Sequence, residues 1–184
     1  PGVRLTYFSK DGEEGYPGNL TITVIYTLTN DNCLKCDYDG SIDQACPLNV
    51  THHGYFNLTG SAKTDILGHQ MQILADRFTV VDETLIPTGE LLPVAGTPMD
   101  FNQPHAIGER IAQVEGGYDH NYVLSDQVAE LRKVVRVKEP VSGHTAPGII
   151  SLILLMVNTS SRRGSTVSNS LMSAGSVVMG RACN

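Results

Sequence analysis

The sequence predicts an all-β fold of antiparallel strands, and three observations support this prediction. Segments rich in β-branched residues and free of Gly and Pro, such as residues 21–28, alternate with polar turn clusters such as residues 29–32. The 184 residues include 18 Gly and 9 Pro, which suits many short strands joined by turns. Because Pro and Gly punctuate residues 86–94 every few positions, no helix can run there.

The predicted strands follow one another along most of the chain. Residues 21–28 and 33–38 form a hairpin across the turn cluster, and residues 49–58 form the next strand. Apolar and polar residues alternate again at 69–75, which predicts a further strand. The remaining predicted strands lie at 78–81, 118–124 and 129–137, and a short helical turn is predicted near 105–111.

Size and charge limit the classes of protein and partner. With 41% hydrophobic residues the chain can bury one core, so a single domain is expected. The apolar run at 148–157 is too short to span a bilayer, so no membrane partner is expected. A net charge of −6 argues against a nucleic-acid partner.

Residues 49–58 form the most informative segment, because a strand would give it two different faces. One face carries Asn49, Thr51, His53, Tyr55 and Asn57. The other face carries Val50, His52, Gly54, Phe56 and Leu58, and is predicted to pack against a core. The first face offers hydrogen-bonding groups for the hydroxyls of a ligand such as a sugar, with His53 as the natural proton donor or acceptor. The alternative is an ordinary strand with one solvated face.

The amino-acid sequence of residues 49–58 resembles the signature of the galactose mutarotases, or aldose 1-epimerases. Further motifs match that family in the right order, namely those at residues 11–20, 72–78, 87–101 and 117–120. The resemblance covers about residues 1–143 and implies a large, twisted antiparallel β-sandwich, of which 1–143 would be the central part. Residues 144–184 diverge from the family, and residues 158–184 are crowded with Ser, Gly and Arg, so this end is predicted to be irregular.

The resemblance also implies an activity and a set of site residues. The activity is the interconversion of the α and β anomers of hexoses such as galactose and glucose by acid–base ring opening. His53 would be the catalytic acid, Gly54 and Tyr55 would line the substrate pocket, and Asp119 would accept hydrogen bonds from sugar hydroxyls. Without the resemblance, Asp119 is read as a turn residue that follows Gly116 and Gly117. A cytoplasmic monomer or weak dimer without a cofactor is expected, with a hexose as its partner.

The catalytic base is absent from the matching motifs. The family uses a Glu near its C-terminus, a second active-site His, an Asn-Arg pair and a sugar-binding Gln, and no motif of this chain matches them. Glu83, Glu90 and Glu115 lie beside turn residues and are predicted to be solvated. These departures suggest an incomplete family member with a foreign or frame-shifted end, which would be a poor catalyst. The alternative function is a non-catalytic carbohydrate-binding β-sandwich.

A metal site is not predicted. His52 and His53 are neighbours on a strand and point to opposite faces, so they cannot easily share one ion. Cys33 and Cys36 form a CxxC pair, but residues three apart on a strand also diverge. They are interpreted as free thiols in a reducing compartment.

Overall fold

Strands dominate the computed structural model of this chain, which describes residues 1–48, 50, 56–84, 86–124, 133–149, 155–156 and 174–180. The strands are β1 (Gly2–Ser9), β2 (Leu20–Leu28), β3 (Cys33–Ile42), β4 (Pro47–Leu48), β5 (Gln70–Ile73), β6 (Ala75–Val81), β7 (Pro87–Pro93), β8 (His105–Ala106), β9 (Tyr122–Leu124), β10 (Lys133–Lys138), β11 (Thr145–Ile149), β12 (Leu155–Met156) and β13 (Ala174–Gly180). One α-helical turn, α1 (Ile107–Arg110), and two 3₁₀ turns, Glu13–Gly15 and Ile111–Gln113, complete the described elements.

The strands form three antiparallel sheets. The largest has eight strands in the order β1-β2-β3-β13-β11-β10-β5-β8. A three-stranded sheet has the order β7-β6-β9, and β12 pairs with β4. The prediction of an all-β antiparallel fold is therefore confirmed.

In the β1–β2–β3 meander, a polar turn at residues 10–19 joins β1 to β2. The Asp11 carboxylate accepts a hydrogen bond from the Gly18 N–H at 2.7 Å, and Asp43 accepts two from Asn19, one from its backbone and one from its side chain. Gly18 itself has a positive φ of 88°, which a residue with a side chain rarely adopts. These bonds fix the start of β2, whose β-branched residues then pair along their whole length with β3.

The core lies where β5 and β10 of the large sheet meet the three-stranded sheet. Phe101, which is 1% exposed, packs with Ile73 of β5 and Ala75 of β6. Two tyrosines close this core and direct their hydroxyls to backbone carbonyls. The Tyr118 hydroxyl donates to the Pro98 carbonyl and that of Tyr122 donates to Met99, so both polar tips are paired.

Several predicted boundaries shift in the structure. The strand predicted at 69–75 is divided at Leu74 into β5 and β6, although the Leu74 N–H still donates to the Val134 carbonyl of β10. Of the strand predicted at 118–124, only residues 122–124 form a strand, β9. The chain turns at Gly116 and Gly117, which have positive φ values, and enters the strand only at Tyr122. The helical turn predicted near 105–111 is α1, followed directly by a 3₁₀ turn.

The segment predicted to be irregular, residues 144–184, contains three strands among its described residues. β11 pairs with β10, and β13 inserts between β11 and β3 in the large sheet. The division of the chain near residue 143 stays a prediction. Among the described residues, no helix is long and apolar enough to cross a membrane.

Candidate active site

The predicted catalytic residue His53 and its neighbours Gly54 and Tyr55 lie outside the described residues, together with Asn49, Thr51 and His52. Of the signature segment the structure describes Val50 and residues 56–58, and none of these is in a strand. Phe56 is 44% exposed, so the prediction that it packs against a core is wrong. Phe56 and Asn57 have no regular structure and Leu58 lies in a turn, so the predicted alternation does not apply to these three residues.

Asn57 organises that loop and is not available for a ligand on a strand face. Its side-chain amide donates to the carbonyls of Ser61 and Thr64, at 3.0 and 2.7 Å. Its side-chain oxygen accepts hydrogen bonds from both the backbone and the hydroxyl of Thr59. An amide with its donors and acceptor already engaged stabilises the loop. The prediction that Asn57 belongs to the sugar-binding row is therefore wrong.

Leu58, the last residue of the signature, is held by two histidine side chains that the sequence analysis did not select. Its N–H donates to Nε2 of His69 at 3.1 Å, and its carbonyl accepts from Nδ1 of His144 at 2.9 Å. The backbone partners define which ring nitrogens carry a proton, because an N–H group needs an acceptor nitrogen and a carbonyl needs a donor nitrogen. His69 thus presents a bare Nε2 and His144 a protonated Nδ1. We call these three residues the Leu58 clamp.

Glu139 supports the clamp from the turn between β10 and β11. Gln70 of β5 pairs with Lys138 of β10, so the preceding His69 and the following Glu139 lie beside each other at the end of both strands. Glu139 as a residue is 6% exposed, and its carboxylate accepts hydrogen bonds from the backbone N–H groups of Val141 and Ser142. Hydrogen bonding to Ser142 and Val141 lowers the pKa of Glu139 to about 2.

We expect the ionised Glu139 carboxylate to stabilise the fold near neutral pH and to lose this contribution in acid. Because its pKa falls from 4.5 to about 2 on folding, its contribution is complete above pH 4.5 and is lost as the pH falls toward 2. The Glu139→Gln variant should therefore be less stable than the native chain at pH 6. Its stability should also fall less than that of the native chain between pH 6 and pH 3. Urea midpoints of the two proteins at pH 6 and pH 3 measure this difference. Parallel pH dependences would show that the carboxylate is not preferentially ionised in the folded state.

Asp119, the predicted sugar-hydroxyl acceptor, lies in an exposed loop between the turn at Gly117 and β9. Its backbone N–H donates to Nδ1 of His120 at 3.3 Å. The ring of His120 in turn packs edge-on against Phe78 of β6, with ring centroids 5.7 Å apart. The carboxylate itself makes no hydrogen bond or ion pair within the part of the chain that the structure describes. This placement is compatible with both a ligand contact and an ordinary turn residue.

The glutamates considered as a base are on the surface. Glu83, Glu90 and Glu115 are all exposed, as predicted. Glu109 is exposed as well and pairs with His105 at 3.1 Å. Glu139 is covered, but both of its oxygens accept backbone N–H groups and its lowered pKa makes it a weak base. None of these five carboxylates is placed as a general base in a pocket.

The CxxC pair behaves as predicted from strand geometry. Both cysteines lie on β3, where Cys36 is 1% exposed and Cys33 is only half-buried, and neither forms a disulfide bond with another described cysteine. Within the described ranges, no three His, Cys, Asp or Glu side chains are grouped so that they could hold a metal ion.

Sequence comparisons agree with the fold and the motifs. Residues 1–145 match the model of the aldose 1-epimerase family. Human galactose mutarotase is 42% identical over 155 residues, covering 80% of this chain and 45% of the human protein. Aldose 1-epimerase of Escherichia coli is 43% identical over 127 residues, covering 66% of this chain and 36% of the bacterial protein. The chain belongs to the aldose 1-epimerase family, and the predicted resemblance is confirmed.

Solved structures show the same fold. An aldose epimerase homologue from C. elegans superposes with a TM-score of 0.71 at 22% identity, covering 98% of this chain and 56% of that one. Galactose 1-epimerase of Lactobacillus acidophilus gives a TM-score of 0.71 at 24% identity, with 98% and 54% coverage. The chain therefore spans about half the length of the solved relatives and less than half of the human one.

Proposed function

We propose that this chain serves an aldose 1-epimerase activity, the interconversion of the α and β anomers of hexoses such as galactose and glucose. The observation that carries this proposal is the continuous family match over residues 1–145, with 42% identity to a protein named galactose mutarotase. The reaction opens a cyclic hemiacetal and recloses it on the other face of C1. It needs a base at the C1 hydroxyl and an acid at the ring oxygen.

We assign the acid role to His53, and substrate contacts to His53, Gly54 and Tyr55. An imidazole titrates near neutral pH, so it can hold and release a proton during each turnover. The signature motif supports this assignment. The base is assigned to no residue of this chain, because every Glu considered above is exposed or engaged in a turn.

Asp119 is proposed as a sugar-binding residue. A carboxylate makes stronger hydrogen bonds to hydroxyls than a neutral acceptor does, and that of Asp119 is exposed. The matching family motif at residues 117–120 supports the assignment. We propose no metal or organic cofactor, a hexose as partner, a monomer or weak dimer, and the cytoplasm as location.

Asp119→Ala should weaken galactose binding and leave the fold intact. Losing a hydrogen bond to a charged group costs about 1.5–3 kcal/mol, which is roughly a 10- to 100-fold increase in Kd. Asp39→Ala is the matched control, because Asp39 is also exposed but lies on β3. Titration of both variants with galactose, followed by NMR, measures the change. Equal affinities in the two variants would remove Asp119 from the site.

The experiment that tests the activity uses a chimera. Residues 1–145 of this chain replace the stretch of human galactose mutarotase to which they align, so that the human protein supplies the rest. Polarimetry then follows the conversion of freshly dissolved α-galactose. Acceleration of the conversion supports the proposal, and a folded chimera that binds no galactose and accelerates nothing contradicts it.

The second candidate function is non-catalytic carbohydrate binding. It is favoured by one observation, namely that none of the five glutamates described above, Glu83, Glu90, Glu109, Glu115 and Glu139, offers a free, covered carboxylate as a base. The chimera separates the two functions. Galactose binding without faster anomer exchange would favour the binding module over the enzyme.

A further inference from the structure

We propose that His69 and His144 are positioning residues, which clamp the backbone of Leu58 and thereby orient the segment that carries His53. The inference rests on the proposed function, in which His53 is the acid. Neither imidazole is proposed to touch the sugar. Their role is to fix the path of the chain five residues after His53.

The Leu58 clamp supplies the backbone hydrogen bonds that a neighbouring strand would otherwise make. Residues 56–58 belong to no strand, so their backbone polar groups must be satisfied in another way. The two imidazoles take the N–H and the carbonyl of the same residue, Leu58. Two hydrogen bonds to one residue restrict both its position and the direction in which the chain arrives there.

The histidines are themselves fixed to the large sheet. His69 is 2% exposed; its N–H donates to the Ile66 carbonyl at 3.0 Å and its carbonyl accepts from Ile107 at 2.9 Å. The His144 carbonyl accepts from the Glu139 N–H at 2.8 Å, and its N–H donates to the Ser142 hydroxyl. The clamp therefore connects Leu58 to the start of β5 and to the β10–β11 turn.

The chain just beside the clamp is fixed as well. The Asn57 side chain closes the loop that runs from residue 57 to residue 64. Leu58 and Asn57 together leave residue 56 little freedom of direction. A catalytic group must lie within hydrogen-bond reach of the reacting atoms, and small displacements cost about 10²-fold in rate. Loss of the clamp should therefore affect His53 although no clamp residue contacts substrate.

The test uses the 184-residue chain labelled with ¹⁵N, without sugar at first. In the native chain we expect His69 Nε2 to resonate as an acceptor nitrogen, and the Leu58 amide to exchange slowly with solvent. His69→Ala should speed Leu58 amide exchange at least tenfold and shift the imidazole resonances of His53. Amides of β2 should keep their protection within about twofold, which a general loss of stability would not allow.

Two further variants and a matched control keep the test decisive. His69→Gln should restore part of the protection, because its side-chain oxygen can accept the Leu58 N–H. His144→Ala removes the other bond from a half-buried turn position, so it serves if His69→Ala fails to fold. His105→Ala is the control, since His105 contacts Glu109 and Phe101 but not Leu58. Unchanged Leu58 exchange, or faster exchange with unmoved His53 resonances, would overturn the inference.

Addition of galactose separates this inference from the proposed function. If the native chain binds galactose, His69→Ala should raise its Kd about tenfold while His105→Ala leaves it unchanged; equal Kd values in all three proteins would overturn the inference. If the native chain binds no galactose, the chimera alone decides the proposed function. The sugar-free measurements on Leu58 and His53 still decide whether the clamp exists.

Discussion

His53→Asn in the chimera is expected to slow galactose anomer exchange by about 10²- to 10⁴-fold, because it removes one of two proton-transfer partners. Asn keeps a hydrogen-bonding side chain of similar reach but cannot donate and regain a proton near neutral pH. His52→Asn should change the rate far less, because neighbouring residues of a strand point to opposite faces.

This pair of variants tests the assignment of the faces as well as the acid. Polarimetry with α-galactose gives the rate, and thermal unfolding of each variant shows whether the fold is kept. Equal losses from His52→Asn and His53→Asn, with both proteins folded, would contradict the predicted alternation. A His53→Asn chimera as fast as its parent would remove His53 from catalysis.

The elements that the sequence predicted are those with a local signal. β2 and β3 were found because β-branched residues alternate and a turn cluster separates the two strands, and the structure pairs them from Leu20–Ile42 to Leu28–Leu34. β13 was not found. Its pairing with β3 and β11 depends on strands far away in the sequence, and its own residues show no sustained alternation.

The candidate site was predicted only where a motif marks it. The Leu58 clamp was not predicted, because its two hydrogen bonds join residues that are 11 and 86 positions apart in the sequence, and no spacing rule links them. One local signal was available: Glu139 stands before Pro140, Ser142 and Gly143, a composition typical of a turn whose amides need an acceptor. That signal locates the turn, but only the register of β5 and β10 places His69 beside it.

The errors at Phe56 and Asn57 have a common cause. Alternation was extended to the end of the signature, but a polar side chain can form local hydrogen bonds that compete with a strand. Asn57 does so with Thr59, Ser61 and Thr64, and neither Phe56 nor Asn57 lies in a strand. Because Phe56 lies in no strand, strand alternation cannot assign it an inward direction.

The 184-residue chain alone is expected to accelerate galactose anomer exchange about 10²- to 10⁴-fold less than the chimera does, because it carries the proposed acid, His53, but none of the glutamates considered above is placed as a base. Parallel polarimetry of equal concentrations of both proteins measures the ratio. β1 is an edge strand with exposed Val3, Leu5 and Tyr7, so the chain is prone to associate, and its size must be checked by chromatography.

Comparable rates would contradict this prediction and would mean that a carboxylate of this chain serves as the base. The structure then directs the search. Glu83, Glu90 and Glu115 are exposed, so each can be replaced by Gln without loss of packing, and the variant that loses activity identifies the base. Glu139→Gln would be less informative, because Gln keeps only one acceptor oxygen, so the change also removes one of the two side-chain hydrogen bonds that hold the β10–β11 turn. A slow chain beside a fast chimera would instead place the missing base in the stretch that the human protein supplies.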